Sequence, residues 1–127
     1  MLNRLAVVAL VFAAPLAAQE TPALLPSLSL GQQTGLRCSA AFAMVAAGQA
    51  KGEADSLVFA PVGQRGREYF VRLAAQMMDE IGVTREQLQA IILREASAIR
   101  NEGPNALSGL MPPCLVLLDI EVPRQAR

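Results

Sequence analysis

The sequence predicts a small all-α domain, a bundle of about four helices stapled by one disulfide. Three observations carry this. Apolar residues recur at helical spacing over long segments, a capping-box signature opens one of them, and the only two cysteines, Cys38 and Cys114, stand far apart in the chain. The expected helices are roughly 36–50, 66–81, 85–101 and 113–121.

Gln19 to Thr34 holds Pro22, Pro26 and Gly31 among serines and keeps no helical or strand period, so 19–34 reads as an extended leader and 35–127 as a single helical domain. From Leu36 the pattern changes. Cys38, Ala41, Phe42 and Val45 recur at i, i+3, i+4, i+7 on an alanine-rich background that ends near Gly48 and Gly52, which places Cys38 on a buried stripe. Pro61 to Gly66 reads as a turn. Phe70, Leu73, Ala74, Met77, Met78 and Ile81 then form the cleanest stripe, stopped by Gly82. Thr84 with Gln87 three residues on is a capping box, and Leu88, Ile91, Ile92, Ala96 and Ile99 continue to Asn101 and Gly103. Only Val83 separates Gly82 from that cap, which predicts a tight helical hairpin. Pro112-Pro113 suits the opening of a last helix, with Leu110, Cys114, Leu117 and Leu118 on one face. A strand competes there, because Val116, Leu118, Ile120 and Val122 alternate, but no second strand exists to pair with it.

Composition narrows the function classes. The chain has 127 residues, 53% hydrophobic and 17% charged, with basic and acidic side chains equal at 11 each. That is one domain, too apolar to be disordered. Zero net charge, no basic block and 4% aromatics argue against nucleic-acid binding, which needs clustered cations. Histidine is absent, removing the commonest general base and metal ligand.

Part of the apolarity belongs to the N-terminus. Arg4, the apolar run Leu5 to Ala14, and Pro15 to Ala18 before Gln19-Glu20 have the layout of a secretory signal peptide, residues 1–18, cleaved on export. The run is too short to span a bilayer, which takes about 20 apolar residues, so no stable membrane insertion is expected after cleavage. A periplasmic or secreted location follows, in which a disulfide persists. Ten arginines against the single Lys51 suit a GC-rich bacterial origin. With two cysteines only one intramolecular bridge exists, and the spacing excludes a Cys-x-x-Cys redox centre. A bridge closing a loop of roughly 77 residues contributes about 4 to 5 kcal/mol on the chain-entropy model. The whole stability of such a domain is about 5 to 15 kcal/mol.

Two charged residues fall on apolar stripes: Arg67 among Phe70, Ala74 and Ile81, and Glu95 among Leu88, Ile91 and Ile99. Across a hairpin their axial offset is roughly one turn, about 5 Å, which makes a part-buried Arg67–Glu95 ion pair a candidate; the plainer reading has both snorkel to water from stripe edges. Gly63 to Arg67 places Arg65 and Arg67 at a glycine-containing turn before a helix, a weak anion-binding signature beside which an ordinary solvated turn is the plainer reading.

No catalytic constellation is expected. Serines lack a histidine, Lys51 stands alone, and Asp79, Glu80, Glu86 and Glu95 come without aromatics to stack a sugar. No metal or cofactor motif is present in the sequence. In its layout of signal peptide, about a hundred mature residues, helices and a long-range Cys38–Cys114 disulfide, the chain resembles the small acid-stress periplasmic chaperones; the likeness is architectural. The expected function is an exported helical interaction module without catalytic activity, a periplasmic chaperone, inhibitor or envelope-stress protein with a protein or peptide partner. Met44, Met77, Met78 and Met111 are candidates for an adaptable surface, against the simpler reading that they fill the core. The competing function is a small-ligand or anion-binding domain, or a weak enzyme, using Arg65, Arg67 and Glu95. A homodimer is compatible with either. An exposed apolar surface favours the first reading, a closed polar pocket the second.

Overall fold

In a computed structural model that describes residues 25–125, five helices follow one another: α1 (Leu30–Lys51), α2 (Ala54–Leu57), α3 (Gly63–Ile81), α4 (Arg85–Asn101) and α5 (Ala106–Glu121). No strand occurs among the described residues. The bundle is all-helical as the periodicity predicts, and α1, α3, α4 and α5 correspond to the four expected helices. The signal-peptide residues 1–18, and 19–24 of the expected leader, lie outside the described residues.

Three helices begin earlier than expected, α3 at Gly63 within the expected turn from Pro61 to Gly66, and α1 and α5 by a larger margin. Leu30 to Thr34 is helical rather than extended, because Ser29 and Gln32 form a capping box. The Gln32 amide donates to Ser29 Oγ at 3.2 Å, and the Ser29 amide donates to Gln32 Oε1 at 2.9 Å. Two otherwise orphaned N–H groups are thus satisfied, which outweighs the poor helix propensity of Gly31 and Thr34. The last helix starts at Ala106, so Pro112 and Pro113 sit inside it rather than at its opening. They leave the carbonyls of Ser108 and Gly109 without i+4 donors. All four residues are exposed, so these carbonyls are open to solvent rather than stranded in the core. The short α2 was not legible from the pattern either. It is held by Gln49, whose amide nitrogen donates to the carbonyls of Ser56, Phe59 and Ala60, while its oxygen accepts from the Val62 amide.

α1 is the centre of the bundle. It packs on every other helix, most extensively on α3 and α4, which make few contacts with each other. Cys38 to Phe42 are buried at five consecutive positions, more than a full turn, so the middle of α1 is enclosed all round rather than along one stripe. Its small residues serve that role. Ala40 and Ala41 are completely buried, and a Cβ on Gly35 would stand 2.8 Å from Leu73. On the other side of the same interface, a Cβ on Gly66 of α3 would stand 2.8 Å from the Phe42 Cβ.

One core cluster gathers Phe42, Val45, Ile99, Met111 and Leu118 around the disulfide; a second gathers Leu36, Met77, Val83, Leu88 and Ile91 toward the α3–α4 turn. That turn is as tight as expected: Gly82 adopts φ 66° and ends α3, and the Thr84–Gln87 box opens α4. Met77 and Met111 are fully buried and Met44 is partly buried against the core, so only Met78 of these four is exposed and no methionine surface forms. Cys38 and Cys114 are bonded, with Cα atoms 5.3 Å apart, and staple α1 to α5 in the core.

Candidate functional site

Three arginines fix the helix ends around the core. Arg65 of α3 reaches the last turn of α5, donating to the Val122 carbonyl through Nη2 at 2.6 Å and Nε at 3.1 Å, and to Asp119 Oδ1 at 2.6 Å. Arg72, two turns along the same helix, donates to the Glu121 carbonyl at 2.8 Å and pairs with Glu68. These carbonyls lack donors within α5, and the cations stand at the negative end of its dipole. The hydrogen bond from Arg65 holds the Asp119 carboxyl below its ordinary range, with Arg124 assisting.

The predicted Arg67–Glu95 pair does not form. Glu95 faces Arg37 of α1 at 3.4 Å, and Arg37 also binds both carboxylate oxygens of Glu102, at 2.6 and 2.7 Å. The hydrogen bond it donates to Glu102 is the leading reason the Arg37 guanidinium lies above its ordinary value, opposed by burial and reinforced by Glu95. The sequence reading assumed that α3 and α4 face each other; α1 lies in the notch between them instead, so an α4 carboxylate meets an α1 cation. Arg67 is exposed at the edge of a cleft of about 420 Å³ walled by Phe42, Ala46, Phe70 and Ile92. The anion turn is corrected with it. Gly63 to Arg67 is the first turn of α3, on which Arg65 and Arg67 diverge by 200°, and Arg65 is engaged by α5. Arg65, Arg67 and Glu95 therefore occupy three separate places.

The larger feature is a groove of about 580 Å³ between the start of α1, one face of α3 and the end of α5. From α3 it takes Tyr69, Arg72, Leu73, Gln76 and Glu80, a single stripe at helical spacing. Leu117 and Glu121 come from α5, and Ser29 to Gln32 with Thr34 from the capped start of α1. Its floor is apolar through Leu73 and Leu117, its rim is polar, and Leu30 stands 80% exposed at its lip. Outside it, the outer face of α5 leaves Val116 and Ile120 at 61% and 66% exposure.

Tyr69 is the pivot. Its ring packs edge-on against Phe42, centroids 5.5 Å apart and planes at 89°, and only 7% of the residue is exposed. Its hydroxyl makes no hydrogen bond with any described residue and opens onto the groove. Burial, and secondarily the Glu121 carboxylate, hold the phenol above its ordinary pKa, so it is neutral at physiological pH and can both donate and accept. Sequence reasoning missed this groove. Its signal was the mixed stripe Tyr69, Arg72, Leu73, Gln76, Glu80, which includes the only tyrosine in the chain.

Among the described residues no group of three or more carboxylates or cysteines is placed to hold a metal, and no helix is long and apolar enough to cross a membrane. Fold and groove together define a small disulfide-stapled helical bundle with an open cleft. No model of a known protein family, no curated protein and no solved structure matches the chain.

Proposed function

We propose that the protein is an exported interaction module without catalytic activity, which holds a peptide or a segment of another protein in the groove between α1, α3 and α5, as a periplasmic chaperone, inhibitor or envelope-stress protein does. The observation that carries this reading is the groove itself: open to solvent, with an apolar floor at Leu73 and Leu117 and a lip at Leu30. Its volume lies within the roughly 300–1,000 Å³ of sites that bury a drug-sized ligand. Leu30 at the lip extends the apolar floor to the surface, which suits a segment that carries an apolar side chain into the cleft.

Export is supported by the signal-peptide layout of residues 1–18 and by a core disulfide that needs an oxidising compartment. The absence of histidine from the whole chain removes the commonest general base, which supports a non-catalytic role. The experiment is a titration of the isotope-labelled, disulfide-bonded protein with short peptides of varied sequence, followed by amide chemical shifts. The expected shifts centre on Leu30, Tyr69, Leu73 and Leu117. Shifts confined to the cleft beside Arg67 and Phe70, or none with any peptide, would overturn the reading.

A further inference from the structure

The groove is charged asymmetrically. Arg72, the one cation lining it among the described residues, is already engaged by the Glu68 carboxylate and the Glu121 carbonyl. The Glu80 and Glu121 carboxylates line the same groove, and neither is salt-bridged to a described cation; Glu80 accepts only a neutral amide hydrogen bond, from Gln76 at 2.8 Å. Both negative charges are thus offered to whatever enters. A second, independent observation is Tyr69, a side chain more than nine-tenths buried whose solvent-reached hydroxyl makes no hydrogen bond to another described residue and lines the groove. The hydroxyl itself is reached by solvent at the groove surface, so a peptide carbonyl entering the groove can replace water as its hydrogen-bond partner.

We infer that the groove binds a basic peptide segment, one that presents an aliphatic side chain flanked by lysine or arginine. The aliphatic group covers Leu73 and Leu117, the cations reach Glu80 and Glu121, and a peptide carbonyl accepts from the Tyr69 hydroxyl. The inference rests on the reading of the groove as a protein-docking site and adds the chemistry of its partner. Acidic or phosphorylated segments, and anionic lipid surfaces, meet like charge at both carboxylates.

The test uses the full, disulfide-bonded protein and fluorescence anisotropy with three labelled hexapeptides: acetyl-Lys-Leu-Leu-Lys-Leu-Arg-amide, its neutral counterpart with Gln at the basic positions, and its acidic counterpart with Glu there. The basic peptide is expected to bind about tenfold more tightly than the neutral one at low salt, and the acidic one not at all, with the advantage shrinking at about 0.5 M salt. In the double variant Glu80→Gln/Glu121→Gln the basic and neutral peptides should bind alike. Tyr69→Phe, which keeps the ring against Phe42, should weaken both several-fold. Equal binding of basic and neutral peptides to the unaltered protein, or a basic preference that survives the double variant, overturns the inference and leaves the docking role standing. Failure of all three peptides to bind overturns both.

Discussion

Arg65 of α3 lies across the last turn of α5 with its Nη2 2.6 Å from the Val122 carbonyl oxygen, so one helix supplies the C-terminal cap of another 57 residues along the chain. The same nitrogen stands 2.6 Å from Asp119 Oδ1. α5 ends without a glycine and without a basic residue in its last turn. Its termination therefore depends on a tertiary contact rather than on a local signal.

Replacing Arg65 should release that end. Hydrogen bonds from a charged donor contribute about 1.5–3 kcal/mol each way they are counted, and the Arg65 side chain is only 21% exposed. Arg65→Met is expected to lower unfolding stability by about 2 kcal/mol. Arg124→Met, which removes a 64% exposed partner of the same Asp119 at 3.5 Å, should change it by less than about 0.5 kcal/mol. Urea unfolding of the two variants checks this, and equal effects would refute it.

Acid should loosen the same contact. The Asp119 carboxyl is held below its ordinary value in the folded protein, chiefly by the hydrogen bond from Arg65. A carboxyl with a depressed folded pKa contributes stability that is fully present above its unfolded value, about 3.9, and is lost as pH falls through the folded value. The stability difference between the unaltered protein and Asp119→Asn should therefore be flat from pH 7 to 5 and shrink below about pH 4. A difference that grows on acidification contradicts the assignment.

The Cys38–Cys114 bridge is buried, its residues 2% and 1% exposed, and joins residues separated by 76 positions. Native protein should resist a thiol reductant until it unfolds. Once reduced, it should lose about 4 kcal/mol on the chain-entropy model. At roughly 4–8 °C per kcal/mol for a domain of this size, the melting temperature should fall by more than about 15 °C. Calorimetry of oxidised and reduced protein measures the difference, and a fall of only a few degrees would show that packing alone holds α5 on α1.

Two glycines on long helices should respond in opposite directions to alanine. A Cβ on Gly66 would meet the Phe42 Cβ at 2.8 Å and Cγ at 3.3 Å, atoms that cannot move away cheaply, so Gly66→Ala is expected to destabilise by about 1–3 kcal/mol through overpacking. A Cβ on Gly109 meets nothing within 4 Å, and Gly109→Ala should stabilise by about 0.5–1 kcal/mol through helix propensity. Thermal melts of the pair give the signs directly.

Much of the fold was legible because it is local. The stripe from Phe70 to Ile81, the Gly82 stop and the Thr84–Gln87 box lie within a few residues of one another, and each acts through backbone hydrogen bonding or side-chain spacing that a linear reading captures. The Ser29–Gln32 box is equally local, but the prolines and glycine around it mask it, so the periodicity places the start of the first helix six residues late. The doubled proline misled for a related reason. Proline favours a helix start, yet on the solvent side of α5 the carbonyls it leaves without donors are open to solvent.

The candidate site was barely legible, because its parts come from α1, α3 and α5 and nothing in the linear pattern says which helix faces which. Once α1 lay between α3 and α4, Glu95 met Arg37 instead of Arg67, Arg65 turned to α5, and Tyr69 was left under the groove with a free hydroxyl. By itself the sequence determined the four long helices and the single disulfide, since these follow from periodicity, capping and the presence of only two cysteines, but not the short α2 or the true starts of α1 and α5. Only the tertiary structure decided the ion pairs and the groove, because charge pairing and cavity shape depend on through-space distances that the order of packing sets.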